Sequence, residues 1–186
     1  FPYTTLFRSY EIGSITVNDE LVQVGSGFTV YVDRDIVIDV VFEKVETVHR
    51  YEVVIANVSW QEAESYAESV GGHLATISSS EEYETLLELA RGSGAKVLML
   101  GGYLNWNASF TTCSAAWVTG EAVSLDNSWW HSGEPNGDNG VASDGTPEDR
   151  ISLYNHSSAG WGLNDVQVDV WKYYPGTAGY IIEWED

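Results

Sequence analysis

The sequence predicts an α+β fold preceded by a segment of β-strands. Two amphipathic helix patterns with their own start and stop signals lie between residues 59 and 92. A Gly-, Asn-, Asp-, Ser- and Trp-rich stretch then runs from Gly101 to Tyr174, and a strand pattern follows at Gly179–Trp184. Long ordered loops of this kind are usually functional, so we expect the site in this stretch.

Three segments are predicted along the 186 residues. Residues 1–9 look like the translation of a common sequencing adaptor, and they are excluded from the fold. Residues 10–47 are predicted to be the C-terminal part of a β-rich domain, Ig-like or a bacterial repeat, and residues 48–186 the α+β domain. We therefore expect a fragment of a larger protein that has lost its upstream part.

Alternating apolar residues and turn signals predict β-hairpins in the first of these domains. The predicted strands are 14–17, 21–24, 28–32 and 36–42. They form the tail of a partial β-sandwich or, alternatively, pack onto the domain that follows.

Each helix pattern begins at a predicted capping box. Ser59 and Glu62 open the first helix, which Gly71-Gly72 ends. Ser79 and Glu82 open the second, which ends at Gly92. The apolar faces are Trp60, Ala63, Ala67 and Val70 in the first helix, and Tyr83, Leu86, Leu87 and Ala90 in the second. The remaining predicted elements are a strand or extended link at His73–Ile77 and a short buried strand at Val97–Leu100.

Charge and cysteine content exclude several classes of protein. The formal net charge is −20, from 28 acidic and 8 basic residues, which argues against nucleic acid and anionic membranes as partners. No apolar run reaches membrane-spanning length, so we expect no membrane insertion in this fragment. Cys113 is the single cysteine, which excludes an intrachain disulfide but not export from the cell.

Five residues of the long stretch carry hard oxygen donors. They are Glu134, Asn136, Glu148, Asn164 and Asp165. Carboxylate and amide oxygens are the ligands of Ca²⁺, which takes about 6–8 oxygens. A cis bond before Pro135 would turn Glu134 and Asn136 toward the same point, and X-Pro is the linkage where a cis bond is cheap. The set therefore predicts a Ca²⁺ site, and a site built in this way can leave coordination positions open for pairs of sugar hydroxyls.

A series of short motifs between Tyr51 and Trp184 resembles the C-type lectin-like domain. They are Trp60-x-x-Ala63-x-x-x-Ala67, Gly71–Ile77 with Ser79-x-x-Glu82, Leu100–Gly102, Trp117-x-x-Gly120-Glu121, Glu134–Asn136, Glu148-Asp149, Trp161–Asp165 and Tyr180–Glu183. Each motif is weak by itself, but all of them occur in the family's order.

The resemblance implies a C-type lectin-like fold with two helices, small antiparallel sheets and a long Ca²⁺-binding loop region. It implies that all five oxygen-donor residues bind Ca²⁺, and that Glu134, Asn136, Glu148 and Asn164 also bind a pair of sugar hydroxyls. In this family Glu-Pro-Asn goes with mannose-type sugars: mannose, glucose, N-acetylglucosamine and fucose. We therefore expect a glycan-binding module of a larger exported bacterial protein, extracellular or at the cell surface.

The sequence departs from the family at several positions. The four usual cysteine positions hold Ala67, Arg150, Val168 and Ile182. Leu163 replaces a frequent Trp, and the stretch 137–147 is longer than usual, which affects the expected position of Glu148. A second Ca²⁺ site is not predicted, because Gly137 stands where relatives often have an acidic residue.

Three alternatives remain beside the sugar-binding prediction. The domain could be stabilised by Ca²⁺ and bind protein, or it could be a structural module. A glycosidase would use Glu134 and Glu148 as acid and base, but nothing in the sequence selects this, and we predict that the protein is not an enzyme.

Four tryptophans of the long stretch could stack on sugars, although core packing is their commoner fate: Trp129, Trp130, Trp161 and Trp171.

Overall fold

A computed structural model describes residues 10–22, 37–44, 48–125, 128–137 and 146–185. The chain divides into two compact units, one within the first 48 residues and one of His49–Glu185. The predicted adaptor segment 1–9 and the predicted strand 28–32 lie outside the described residues.

The first unit contains a three-stranded antiparallel sheet. Its strands are β1 (Tyr10–Val17), β2 (Glu20–Val22) and β3 (Ile38–Lys44), in the order β2-β1-β3. Asn18 and Asp19 join β1 to β2 with φ values of 50° and 65°, as a two-residue hairpin turn requires. The predicted hairpin is therefore present, whereas the assignment of 10–47 to a larger β-rich domain stays a prediction.

The first helix of the second unit, α1 (Trp60–Ser69), begins as predicted. The Ser59 side chain accepts from the Glu62 N–H, and the Glu62 carboxylate accepts from the Ser59 N–H at 2.8 Å. Trp60, Ala63 and Ala67 are buried. Val70 is the exception on the predicted face, because it caps the end of the helix and is 42% exposed.

The second helix, α2 (Ser80–Ser93), has only half of the predicted capping box. The Ser79 side chain accepts from the Glu82 N–H at 3.1 Å. The Glu82 carboxylate does not return the bond, because it accepts instead from the N–H of Ser78 at 2.7 Å. The helix also continues past the predicted stop, and it ends at Gly94 in the left-handed region with φ 73°.

One seven-stranded sheet organises the second unit. Its strands are β4 (His49–Ile55), β5 (His73–Leu74), β6 (Val97–Trp106), β7 (Cys113–Trp117), β8 (Arg150–His156), β9 (Gly160–Val166) and β10 (Ala178–Glu185). The order is β4-β10-β6-β8-β9, with β5 paired to β10 and β7 to β6. The β10–β6 pair is parallel and the others are antiparallel. The α+β class with two helices is confirmed.

The stretch predicted as loop is more regular than the sequence indicated. β6 continues six residues past the predicted end at Leu100, and β7, β8 and β9 all lie within 101–174. A short 3-10 helix, Val170–Lys172, follows β9. The prediction of an irregular stretch was wrong for these segments, because Gly, Asn and Asp within them mask the alternation of a strand.

Two groups of buried apolar residues form the core. The first includes Leu86, Leu98, Leu100, Ile151 and Ile181. The second includes Trp60, Leu74, Val97, Met99 and Ile182. Alternate residues of β6 and β10 enter different groups, because side chains alternate across a strand. The core thereby fixes β6, β8 and β9, which carry or adjoin the predicted ligands.

Candidate functional site

Strand pairing brings the last two predicted ligands beside the start of β8. Asn164 pairs with Ser152 and Asp165 with Ile151 in the β8–β9 register. Glu148 lies two residues before β8, so it approaches the same end of the sheet. The register of an antiparallel pair thus sets the positions of three predicted ligands.

The segment that leads to Glu134 is held against β9. Trp130 and Leu163 form a parallel bridge. The Leu163 N–H donates to the Trp129 carbonyl at 2.7 Å, and the His131 N–H donates to the Leu163 carbonyl at 3.0 Å. Leu163 directly precedes Asn164, so these bonds place the Glu134 segment next to the other ligands.

Asp165 joins the two halves of the predicted site. It is fully buried, and its carboxylate accepts from the N–H of Asn136 at 3.2 Å and from the N–H of Gly137 at 2.6 Å. The Glu134–Pro135 peptide bond is cis. Asp165 and the turn that carries Glu134 and Asn136 are therefore in direct contact.

The backbone conformation and the close packing at position 137 both favour glycine. Its φ is +64°, and a Cβ there would lie 3.0 Å from the ring of Trp106. The Trp106 indole N–H donates to the Glu148 carbonyl at 2.8 Å. Trp106 therefore contacts both segments that carry predicted ligands, and its role could not be inferred from its place at the end of a strand.

Glu134 is the least satisfied carboxylate among the described residues of the site. Its Oε2 atom is buried and has no hydrogen-bond partner in the part of the chain that the structure describes. Burial raises the pKa of Glu134 to about 8, together with its hydrogen bond to Asp165 and the negative charges of Asp165 and Glu148; the Asn136 side chain lowers it. Across the described ranges, no Lys, Arg or His forms a salt bridge with Glu134 or Asp165.

Glu148 and Asn164 are held by residues that the sequence did not indicate. The Glu148 Oε1 accepts from the Gln167 side-chain amide at 2.9 Å. The Asn164 side-chain amide donates to the Asp165 carbonyl at 2.5 Å, and the Asn164 carbonyl accepts from the Ser152 hydroxyl at 3.2 Å. Gln167 is buried and lies two residues after Asp165, so alternation along the extended chain was the one signal that could have found it.

The three carboxylates of the predicted set do not form a closed cluster. Among the residues with described placement, the group of His, Cys, Asp and Glu ligand atoms within 4.8 Å of one another is His49, Glu183 and Glu185. Glu134, Asn136 and Asp165 are in contact, and Glu148 is near enough for its charge to act on Glu134. Amide and backbone oxygens would have to complete the coordination.

The donor set nevertheless fits a hard cation. Its carboxylate and amide oxygens are the ligands that Ca²⁺ takes, and no basic side chain with described placement forms a salt bridge with Glu134. Asn136 is exposed, while Glu134, Glu148 and Asn164 are half-buried. A cation held by these residues would be open to solvent on one side.

The four tryptophans of the long stretch pack in or against the hydrophobic core. Trp129 stacks on Tyr83 with ring centroids 4.8 Å apart, and Trp130 is buried and donates to the Ser124 carbonyl at 3.1 Å. Trp161 and Trp171 are half-buried and pack against the core. A cleft of about 420 Å³ lies between Trp117, Trp129 and Leu163, and it contains none of the five predicted ligands.

Comparisons with known proteins identify the fold. No protein-family model matches the chain. C-type lectin domain family 4 member A of Rattus norvegicus is 27% identical over 113 residues, which are 60% of this chain and 40% of the rat protein. The chain thus spans less than half the length of this curated relative.

Solved structures give the same result. The C-type lectin domain of murine dendritic cell inhibitory receptor 2, in complex with N-glycan, matches with a TM-score of 0.51 and 20% identity, over 74% of this chain and 91% of that one. SPL-1 in its GlcNAc complex matches with a TM-score of 0.53 and 22% identity, over 73% and 87%. The unit His49–Glu185 has the C-type lectin-like fold, as the sequence motifs predicted. None of the described helices is long and apolar enough to cross a membrane.

Proposed function

We propose that the unit His49–Glu185 is a Ca²⁺-dependent carbohydrate-binding module for mannose-type sugars. In this proposal it belongs to a larger exported bacterial protein, acts outside the cell or at its surface, and has glycans as partners. The observation that carries the proposal is the buried Oε2 of Glu134, which lies among carboxylates and has no partner among the residues described. A hard cation would remove this cost, because carboxylates gathered without positive charge repel each other.

The ligand residues would act in two ways. Glu134, Asn136, Glu148, Asn164 and Asp165 would hold the ion, which supplies positive charge and open coordination positions for two neighbouring hydroxyls. Carboxylates only accept hydrogen bonds, whereas amide nitrogens donate. Glu134 with Asn164, and Asn136 with Glu148, would each fix one hydroxyl by one accepted and one donated bond.

Several observations support this assignment of roles. Asp165 holds the backbone of Asn136 and Gly137, so it positions the turn while it offers its remaining lone pairs to an ion. Gln167 holds one oxygen of Glu148 and thereby orients the carboxylate. Partners of this kind typically change metal affinity by about 10- to 100-fold when they are removed. The glycan complexes of the matched structures add support for sugars in general.

A glycosidase is the rival that one observation favours. The pKa of Glu134 is raised to about 8, as a general acid would need, and Glu148 is nearby. Glu134 lies close to Asp165 and Asn136, two other members of the predicted ligand set, which suits a metal site better than a lone acid facing a substrate. Hydrolysis of a nitrophenyl mannoside by the unchanged chain, with loss of this activity in the Glu134→Gln variant, would favour the glycosidase.

A glycan array with Ca²⁺ and with excess chelator tests the proposal. We expect binding to mannose, glucose, N-acetylglucosamine or fucose that chelator abolishes. Ca²⁺ should also stabilise the fold by about 2.7 kcal/mol at a hundredfold excess over Kd. Stabilisation by Ca²⁺ without binding to any glycan would favour the protein-binding or structural alternatives, and the absence of both would refute the site itself.

A further inference from the structure

Two buried carboxylates lie outside the proposed sugar site. Glu183 of β10 is fully buried, and Glu82 of α2 is 8% exposed. Charged groups are almost never buried to this degree unless they are paired. Neither residue belongs to the predicted ligand set, and the sequence indicated Glu82 only as a helix-capping residue.

Neutral donors satisfy most of the oxygens of this pair. Glu82 accepts from the N–H and hydroxyl of Ser78 at 2.7 and 2.9 Å and from the Tyr51 hydroxyl at 2.7 Å. Glu183 accepts from the Thr76 N–H at 2.9 Å, and its other oxygen lies 3.2 Å from the same Tyr51 hydroxyl. These bonds orient the two carboxylates but do not neutralise them.

A basic side chain, that of His49, lies beside this pair. Its Nδ1 lies 2.6 Å from Glu183 and 3.5 Å from Glu82, and its ring stacks on Tyr51 with 9° between the planes. Among the described residues it is the basic side chain that forms a salt bridge with these carboxylates. The imidazole is 30% exposed, so it can exchange protons with water.

The surroundings of His49 are otherwise acidic. The ligand atoms of Glu183 and Glu185, both of β10, lie within 4.8 Å of the His49 nitrogen, and Glu82 faces it from α2. His73 of β5 lies 3.8 Å from Glu185 rather than beside Glu183 in a salt bridge. The 2.6 Å bond already engages the Nδ1 atom of His49 and one Glu183 oxygen, so a proton rather than an added cation balances the pair.

We propose that protonated His49 is a built-in counter-cation that clamps β4, α2 and β10 together, and that the clamp loosens when the imidazole loses its proton. The backbones of β4 and β10 pair with each other, whereas α2 makes no backbone hydrogen bond to either strand in the described part of the chain. Side chains alone therefore join the helix to the two strands here. The Glu82–Tyr51–Glu183 bridge and the His49 charge therefore connect the helix to the sheet edge.

The direction of the pH effect follows from His49. Burial alone would lower its pKa, but the hydrogen bond that His49 donates to Glu183 and the charges of Glu183, Glu82 and Glu185 raise the pKa above 6.5. A raised pKa in the folded state means that the clamp is fully formed below the unfolded pKa and is lost as the pH rises through the folded one. Burial raises the pKa of Glu183, which favours the folded state in the same direction.

Thermal melting of the full chain tests the clamp. The parent protein carries Glu134→Gln and is kept in chelator, so that neither Glu134 nor Ca²⁺ contributes to the pH profile. Between about pH 6 and pH 9 we expect the Tm of this parent to fall by roughly 4 °C more than that of its His49→Gln derivative. The matched control His73→Gln should keep the slope of the parent, and His49→Lys should melt above His49→Gln at the alkaline end. Parallel profiles for parent and His49→Gln would overturn the proposal.

A spectroscopic measurement keeps the test decisive if His49→Gln does not fold. Proton NMR of the imidazole Cε1–H in the parent should give a titration midpoint above 6.5, the ordinary value for His. Replacing one carboxylate, by Glu82→Gln, should move that midpoint downward. A midpoint at or below the ordinary value in the parent contradicts the clamp.

Discussion

Two groups of carboxylates in one domain differ in how the negative charge of their buried oxygens is balanced. The His49 cluster (His49, Tyr51, Glu82 and Glu183) buries two acids and places an imidazole 2.6 Å from one of them. The loop carboxylates (Glu134, Glu148 and Asp165) include a buried oxygen that no described residue contacts by a hydrogen bond. In the first group the chain supplies its own positive charge, and in the described part of the second it supplies none to Glu134 or Asp165.

The pKa values of Glu82 and Glu134 differ accordingly, although burial raises the pKa of Glu183 in the first group as well. Burial opposes ionisation of Glu82, but hydrogen bonds from Ser78 and Tyr51 lower its pKa overall. Glu134 has a pKa of about 8, because burial and neighbouring carboxylates act in the same direction. A carboxylate left in this state marks a candidate functional site, and here the missing charge is one that a bound cation can bring.

Asp165→Asn should give the largest effect. Only one oxygen remains to accept from the Asn136 and Gly137 N–H groups, and one negative charge of the ligand set is lost. We expect Ca²⁺ affinity to fall by about 100-fold or more and the free energy of unfolding without Ca²⁺ to fall by about 2 kcal/mol. Calorimetry and urea unfolding measure the two quantities.

The control for this substitution is Asp169→Asn, which removes a half-buried carboxylate paired with Lys172 at 2.7 Å. This control should change neither the Ca²⁺ affinity nor the free energy of unfolding measurably, since surface ion pairs contribute little. Equal Ca²⁺ affinity in both variants would contradict the assignment of Asp165.

Calcium should invert the pH dependence that Glu134 produces. Without metal, the raised pKa of Glu134 means that its contribution is fully present below about 4.5 and is lost as the pH rises to about 8. With Ca²⁺ bound, protons compete for the ligand oxygens, so stabilisation by the ion is lost as the pH falls. The difference in Tm between samples with Ca²⁺ and with chelator should therefore grow from about pH 5 to pH 8. Retention on a mannose column in the presence of Ca²⁺ should increase over the same pH range. A difference in Tm that does not change with pH would count against the site.

Tyr51→Phe probes the other group. The variant removes the hydroxyl that bridges Glu82 and Glu183 at 2.7 and 3.2 Å, and it leaves the carboxylates buried. The free energy of unfolding should fall by about 1–3 kcal/mol, while Ca²⁺ affinity stays unchanged. Tyr66→Phe, at a residue 51% exposed on α1, is the matched control. A drop in Ca²⁺ affinity for Tyr51→Phe would show that the two groups are not independent.

The smallest expected effect concerns sugar preference. Glu134→Gln with Asn136→Asp exchanges acceptor and donor while it keeps the total charge. We expect Ca²⁺ to remain bound and the ratio of mannose-type to galactose-type binding to fall by about tenfold, which corresponds to about 1.4 kcal/mol. A glycan array compares the double variant with the unchanged chain. Full mannose affinity in the double variant would mean that another surface, such as the cleft between Trp117 and Trp129, holds the sugar.

Local signals explain what the sequence could predict. Capping residues and a period of 3.6 located both helices, because these features act within a few positions along the chain. The seven-stranded sheet was harder, since Gly101, Gly102 and Gly160 interrupt the apolar alternation of strands whose partners are distant. Glu82 shows where such local signals fail. Its spacing from Ser79 indicated a capping box, but its carboxylate accepts hydrogen bonds from Ser78 and Tyr51 instead.

The candidate site was predictable as a set of residue types rather than as a geometry. Oxygen donors and the Glu-Pro-Asn turn indicated which residues to consider, and Asp165 does meet that turn. Contacts of Trp106 and Gln167 with Glu148 depend on tertiary packing. Trp106 carried no sequence signal, and Gln167 carried only its alternation with Asp165 along the chain. The five-residue ligand set itself stays a prediction.

The position of β10 has a consequence for synthesis. This strand follows all the others in the unit, yet it lies between β4 and β6 and also pairs with β5. Until residues 178–185 have left the ribosome, β4 lacks its partner and the Glu82 carboxylate lacks Glu183. Folding therefore depends on contacts distant in sequence, which form slowly. A chain cut short before β10 would expose the edges of β4 and β6 at once, and it would be a substrate for proteases rather than a smaller working lectin-like domain.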